Sequence, residues 1–253
     1  MTSWPAEAIW QAVAPLLPGF TVEVLPELDS TNSELMRRAR TRAAEPVLLV
    51  AQRQTAGRGR LGRGWTSAEG ASLTFSLGMA LAPADWSGLS LAVGVSLAEC
   101  LHPSVRLKWP NDLWLQDRKL GGILIETASF VERQARRYAV IGVGINIKPP
   151  GTSDFSTAPA CLQELLPDVD AGQALLRIAP SLVQAVQAFE TLGFAAFQAR
   201  FDARDALRDR AVVLSDGTMG TAHGTSESGA LLVHTAGGMQ TVSSAEVSVR
   251  PAR

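Results

Sequence analysis

The residues of this chain best suited to chemistry sit in two short runs. The first is Arg53 to Trp65, where Arg53, Arg58, Arg60 and Arg63 alternate with Gly57, Gly59, Gly62 and Gly64. No carboxylate lies between Glu45 and Glu69 to neutralise them. Guanidinium forks grip carboxylate and phosphate oxygens in pairs, and glycine lets the backbone approach what is gripped. The run therefore predicts a flexible loop that orders around an anion, so that closure is part of the mechanism. Gly57, Gly59 and Gly62 also fit G-x-G-x-x-G, but a dinucleotide fingerprint requires a helix opening at the loop and an acid about 20 residues on. The segment after the loop reads as a strand instead. A kinase glycine loop is excluded as well, because neither H-R-D nor D-F-G follows.

The second run is Lys108-Trp109-Pro110-Asn111-Asp112, then Arg118-Lys119-Leu120-Gly121-Gly122-Ile123-Leu124-Ile125-Glu126. Of the 23 basic residues only Lys108, Lys119 and Lys148 are lysines, and two of these stand here. A lysine is a compact point charge, unlike the planar fork that the chain otherwise uses. Asn111-Asp112 and Asp117 read as turns, which puts Lys119 at the mouth of a strand. Gly121-Gly122 weaken that strand unless a ligand or another backbone needs the room. Val140 to Ile147 repeats the theme, a buried strand with Gly142 and Gly144 that ends near the amide of Asn146.

The elements that must position these residues follow from periodicity. A helix is expected over 5–17, with Ile9, Trp10, Val13, Leu16 and Leu17 on one face, and a strand over 21–25. Thr31-Asn32-Ser33-Glu34 reads as a capping box that opens a helix to about Ala43. Strands are expected over 46–52, 71–81, 105–109, 119–127 and 137–147, and helices over 86–101 and, as one or two pieces, 171–201. The continuous apolar character of the later strands suits central positions covered by helices. After Ala206 come five short segments, 211–214, 218–224, 230–235, 239–242 and 247–250, with hairpin signals at Asp216-Gly217, Ser228-Gly229 and Gly237-Gly238. They suggest a small barrel, 207–253, appended to an α/β domain, 1–206.

Composition narrows the class. The chain has 253 residues, net charge −1, 46% hydrophobic residues and a sequence pI near 6.3, ample for a large core. Near neutrality argues against a dedicated nucleic-acid binder. No basic start with an apolar run marks a secretory signal, and no stretch reaches the length of a membrane helix. Cys100 and Cys161 have no metal-like spacing, so reduced thiols in a cytoplasmic protein are expected.

Taken together, Ser30-Thr31-Asn32, Gln54 to Trp65, Lys108 to Asp112, Arg118 to Glu126 and Gly142-Val143-Gly144-Ile145-Asn146 resemble, in order and spacing, the biotin–protein ligase family. The match covers about residues 21–250. It implies a mixed-sheet α/β catalytic domain with an SH3-like C-terminal barrel, and an enzyme that makes biotinoyl-adenylate from biotin and ATP. Mg²⁺ would carry part of the phosphate charge, and biotin would then pass to a lysine of a biotin carboxyl carrier protein of acetyl-CoA carboxylase or a related carboxylase. The resemblance puts Ser30, Thr31, Asn32 and Gln54 at the ureido end of biotin, and Arg58, Gly59 and Arg60 in the closing loop. Trp65 would wall the apolar part of the site, with Gly122 leaving room beside it. Lys119 would contact the biotin carboxylate and the adenylate phosphate, and Lys119 and Arg60 carry the catalytic role. Arg58, Arg60, Arg63, Lys108, Asn111, Asp112, Lys119 and Asn146 fall on the nucleotide side, with Phe155 as the candidate cover for adenine. No metal site of the protein's own is expected. Only 29 residues precede Ser30, too few for the winged-helix DNA-binding domain of some members, so no operator binding is expected. Two rival readings remain: a lipoate or octanoate ligase or transferase of the same fold, and a non-enzymatic RNA-binding module. Monomer and homodimer are both left open.

Overall fold

The computed structural model describes residues 4–41, 45–129, 136–149, 159–243 and 249–251. In chain order the elements are α1 (Ala6–Val13), β1 (Thr21–Leu28), α2 (Thr31–Arg40), β2 (Val47–Gln54), β3 (Gly57–Arg58), β4 (Gly64–Trp65), β5 (Ser72–Leu81) and α3 (Leu89–Leu101). There follow β6 (Arg106–Lys108), β7 (Asp112–Leu115), β8 (Arg118–Ser129), β9 (Arg137–Asn146), α4 (Ala171–Leu192) and α5 (Ala195–Asp202). The chain closes with β10 (Ala211–Leu214), β11 (Met219–Thr225), β12 (Leu231–Thr235), β13 (Gly238–Val242) and β14 (Val249–Pro251).

Seven strands form one sheet in the order β1-β2-β5-β9-β8-β7-β6. β1 and β2 run parallel and every other pair is antiparallel, which makes the sheet mixed. Of the strands expected to be central, 119–127 and 137–147 are so, as β8 and β9, whereas 105–109 forms the edge strand β6; β5 and β9 pair over ten positions, from Ser72↔Asn146 to Leu81↔Arg137. Strand alternation sends Leu48, Val50, Leu73, Phe75, Leu77, Ile141, Val143 and Ile145 to one face, into the main core with α1, α3 and α4. Val47, Leu49, Tyr138 and Val140 point to the other face, where Leu35 and Ala39 of α2 cover them. The second sheet has the order β13-β12-β11-β10-β14, all antiparallel, and realises the five short segments read after Ala206. Its Val212, Leu214, Ala222, Leu231 and Val233 join the same core cluster as α3 and α4, so the apolar interior runs unbroken past residue 206.

Several expectations need correcting. α1 stops at Val13, and Trp10 is exposed, its indole N–H donating to Phe20 O at 3.1 Å rather than joining the buried face. The N-cap of α2 is Ser30, whose hydroxyl accepts from Ser33 N, and not Thr31. With Ser33 at the third helical position no capping box can form, and Glu34 instead binds Arg37 and Arg38. The segment 53–65, read as a flexible loop, holds a short ribbon in which β3 pairs with β4. A further strand, β7, follows Asp112, and Gln116 and Asp117 at φ 50° and 59° turn it into β8. The stretch 171–201 is two helices, the first opened by a true capping box of Asp170 and Gln173. Phe155 lies outside the described residues, as does the start of the strand expected over 247–250. Among the described residues no helix is long and apolar enough to cross a membrane, and Cys100 and Cys161 are both free thiols.

Candidate active site

On its α2 face the sheet loses its side chains toward one end. β9 presents Tyr138 and Val140, then Gly142 and Gly144. Gly142 lies between Ser76 of β5 and Leu124 of β8, and Gly144 lies between Thr74 and Gly122. Two neighbouring rows thus run from small polar residues on β5 across glycine on β9, leaving a slot in the sheet surface. The slot is already in use by the protein's own groups. A Cβ on Gly142 would lie 2.0 Å from Asn32 Oδ1, and one on Gly144 would lie 2.4 Å from the Trp65 ring. Glycine is required at both positions because a polar side chain and an indole pack directly on the strand.

One end of the slot is a polar relay. Gln54 Oε1 accepts from Thr31 N at 2.7 Å and from Thr31 Oγ1 at 3.2 Å. Ser76 Oγ stands 2.7 Å from both Thr31 Oγ1 and Asn32 Oδ1. The Asn32 amide donates to Leu124 O and to Glu126 Oε2, at 3.2 and 3.0 Å. Ser30, Thr31, Asn32 and Ser76 are all buried. The start of α2 therefore lays a row of oriented donors and acceptors at the sheet surface, a set that fits a buried polar head group.

The other end is cationic. Lys119 Nζ lies 2.7 Å from Asp112 Oδ1 and beside Gly122, where a Cβ would come within 3.3 Å of Nζ. Arg60 donates to Asn111 Oδ1 at 3.4 Å, while the Asn111 amide donates to Ile123 O at 2.8 Å. Burial pulls the Arg60 guanidinium below its ordinary value, Asp112 counteracts this, and nearby Arg63 adds to it; a guanidinium so shifted is still a cation. Arg58 donates to Glu126 Oε1 at 2.9 Å and to Ser33 Oγ at 3.3 Å, tying the β3–β4 ribbon to both β8 and α2. β8 is the spine of the arrangement: Lys119 and Gly122 mark one end and Glu126 the other, with Gly122 to Glu126 spanning about 13 Å at the usual rise per strand residue. At the edge of β8 beyond its pairing with β7, a cleft of about 370 Å³ is lined by Arg60, Asn111, Ile123, Ile125 and the start of α3. It shares Arg60 and Asn111 with the cationic end of the slot.

Most of the expected residues thus converge. Ser30, Thr31, Asn32, Gln54, Arg58, Trp65, Gly122, Lys119, Asp112, Asn111 and Arg60 belong to one connected set. Gly59 closes the ribbon's turn, its N–H donating to Arg63 O at 2.7 Å, and Arg63 is exposed. Asn146 acts through the backbone, donating to Lys119 O at 3.4 Å and Ala160 O at 2.9 Å. Lys108 sits opposite Asp112 in the β6–β7 pair with Nζ 5.2 Å from the Trp114 ring, a cation–π contact. Reading the sequence missed Ser76 and did not single out Glu126. The signal for Ser76 was present: in Ser72-Leu73-Thr74-Phe75-Ser76-Leu77 the polar residues alternate, and all three are buried. A buried polar stripe on a central strand demands partners: Ser72 Oγ accepts from Ala68 N, Thr74 Oγ1 donates to Ala51 O, and Ser76 joins the relay.

Residues 24–146 match the biotin/lipoate A/B protein ligase family, and residues 211–250 match the biotin protein ligase C terminal domain. The chain is 37% identical over 247 residues to the bifunctional ligase/repressor BirA of Escherichia coli (strain K12), covering 93% of this chain and 76% of that protein. It is 32% identical over 241 residues to the biotin--[acetyl-CoA-carboxylase] ligase of Paracoccus denitrificans, covering 88% of this chain and 98% of that one. The solved structure of biotin protein ligase from Aquifex aeolicus in complex with biotin and ATP is similar with a TM-score of 0.77 at 30% identity, covering 91% and 99% of the two chains.

Proposed function

This chain belongs to the biotin/lipoate A/B protein ligase family, and on that premise we propose that it is an ATP-dependent biotin–protein ligase that activates biotin and passes it to a carrier-protein lysine. The observation that carries the reading is the slot itself, a buried polar relay at one end with Arg58 held beside it on Glu126, and Lys119 and Arg60 gathered at the other. Biotin has the same division, a compact polar ureido head and a carboxylate at the end of an apolar chain.

In the first step a biotin carboxylate oxygen attacks the α-phosphorus of ATP. A C–O–P anhydride forms, the bond to the β-phosphate oxygen breaks, and pyrophosphate leaves. Two anions must approach each other, so the barrier is largely electrostatic, and preorganised cations lower it. Lys119 and Arg60 take this role, with Arg58 and Arg63 on the loop. Each of the three inner cations is held meanwhile by an acceptor of the protein: Asp112 for Lys119, Asn111 for Arg60 and Glu126 for Arg58. The substrate anions replace those acceptors instead of meeting bare charges. Mg²⁺ enters with the nucleotide as MgATP, an ion that keeps phosphate oxygens and water and needs no dedicated protein cage. In the second step the amine of a lysine on a biotin carboxyl carrier protein attacks the anhydride carbonyl. AMP leaves, the amine loses a proton, and an amide remains. Closure of the β3–β4 ribbon keeps water from the anhydride until then.

The test is ATP–pyrophosphate exchange. Exchange should appear with biotin and stay at background with lipoate or with no acid. Lys119→Ala should lower it by about 10²–10³, the usual cost of one preorganised donor. Full activity in that variant, or exchange supported by lipoate as well as biotin, overturns the reading.

A further inference from the structure

We propose that Trp109 is a positioning residue through which the C-terminal sheet holds the nucleotide end of the site; this rests on the function proposed above. Trp109, in the turn between β6 and β7, is fully buried, and its side chain lies in the main core. Its indole N–H donates to Gly229 O at 3.0 Å across 120 residues of sequence. Gly229 ends the turn between β11 and β12, where Gly229 N donates to Ser226 O and Ser226 N to Ala230 O. The turn has one narrow place to sit. Gly229 has φ +80°, and a Cβ there would come within 2.9 Å of Gly88 Cα and 3.1 Å of Leu91. The acceptor offered to Trp109 is therefore wedged against the start of α3 and is not free to drift.

The same turn of chain is tied down residue by residue. Ser90 Oγ of α3 donates to Pro110 O at 3.0 Å. Asn111 O accepts from Ile123 N at 2.9 Å, and its amide donates to Ile123 O at 2.8 Å. What is left after these ties is the pair of groups that faces the cations: Asn111 Oδ1 at Arg60 and Asp112 at Lys119. Three elements remote in sequence thus fix three consecutive residues, and the outermost tie comes from the second sheet. Removing the indole N–H leaves Gly229 O buried without a donor, and a loss of that kind shifts a local equilibrium by about fivefold to a hundredfold. The looseness should reach the nucleotide end and spare the relay at Thr31, Asn32 and Ser76, which shares none of these ties.

The experiment compares Trp109→Phe, Ser90→Ala and Val233→Ala in ATP–pyrophosphate exchange, with amide hydrogen exchange at Ile123 as a second readout. Trp109→Phe keeps the aromatic bulk and should raise KM for ATP about tenfold, with KM for biotin changed less than twofold. Amide exchange at Ile123 should become faster. Ser90→Ala, which loosens the same turn from α3, should show the same split to a smaller extent. Val233→Ala opens the core of the second sheet; it should lower Tm and leave both KM values in place. The proposal is overturned if Trp109→Phe leaves KM for ATP unchanged, or if Val233→Ala reproduces the split. Should Trp109→Phe fail to fold, Ser90→Ala decides. If the wild-type protein shows no biotin-dependent exchange, the proposed function fails, and hydrogen exchange at Ile123 still judges the tie.

Discussion

Asn32 makes three contacts at once, because its amide is both donor and acceptor and its strand neighbour, Gly142, has no side chain. Oδ1 faces Ser76 Oγ at 2.7 Å, and Nδ2 reaches Leu124 O and Glu126. The space for it exists only because residue 142 is glycine. Gly142→Ala would put a methyl group 2.0 Å from Asn32 Oδ1, and the neighbour is a buried amide held by hydrogen bonds. Asn32 must leave, and the relay loses its centre. The expected result is a rise of at least about tenfold in KM for biotin, the size of one buried hydrogen bond lost, with KM for ATP little altered. Steady-state exchange kinetics measure both. Ser76, equally central, shows why residue types alone mislead: a serine on a strand is commonplace, and only its burial between two other polar side chains marks it.

Helices and strands enter function here by what their ends and faces hold. The first turn of α2 delivers Ser30, Thr31 and Asn32 to the sheet, and Ser30 serves as helix cap besides. α4 does different work: it is buried along one face, packs on α1 and α3, and begins with the reciprocal bonds of Asp170 and Gln173. The reciprocal bonds of that cap run between Asp170 and Gln173 and include no residue of the slot. Asp170→Ala should therefore cost about 1 kcal/mol of stability, as lost caps do, and leave biotin-dependent exchange at its wild-type rate. Denaturant titration beside the exchange assay checks it. A fall in exchange at full stability would mean that α4 carries something besides packing. The strands were legible because apolar runs are local, whereas the cap of α2 was read one residue late, at Thr31 instead of Ser30. The β3–β4 ribbon was not legible, since its pairing of two residues on each side leaves no periodic trace, and β7 was hidden by a turn built from residues at positive φ.

At the scale of the whole molecule, the segment leading into the second sheet crosses the edge of the first. Leu107 N donates to Arg204 O, and Ala206 N donates to Leu107 O, so residues 204–206 lie beside β6. Asp205 is buried at this crossing. One carboxylate oxygen accepts from Leu207 N at 2.8 Å, and the other has no hydrogen-bond partner among the described residues. Burial raises its pKa from 3.8 to about 6, with Asp202 and Asp209 adding to the rise and Leu207 N and Arg208 opposing it. The folded state thus binds a proton that the unfolded chain has already released between about pH 4 and 6. This group's contribution to stability is complete below the unfolded value and is lost as pH rises through about 6. At about 1.4 kcal/mol per tenfold change in proton affinity, the loss is on the order of 3 kcal/mol. Asp205→Asn keeps the bond from Leu207 N and removes the charge. It should be more stable than wild type by about 1–3 kcal/mol at pH 8, with the gap closing toward pH 4. Urea unfolding at the two pH values tests this, and an equal gap at both would rule it out.

The sequence by itself determined the family pattern, the mixed α/β class, the five short strands after Ala206, and the residues that carry charge to the site. These are properties of residue type, spacing and local periodicity, and they need no knowledge of what lies opposite. Tertiary structure alone decided which glycine faces which side chain, that Ser76 and Glu126 complete the set around Asn32, and that the core continues into the second sheet through Trp109 and Gly229. Such contacts join residues 44, 94 and 120 positions apart. Their pairing depends on strand order and register, which no single stretch of chain encodes on its own.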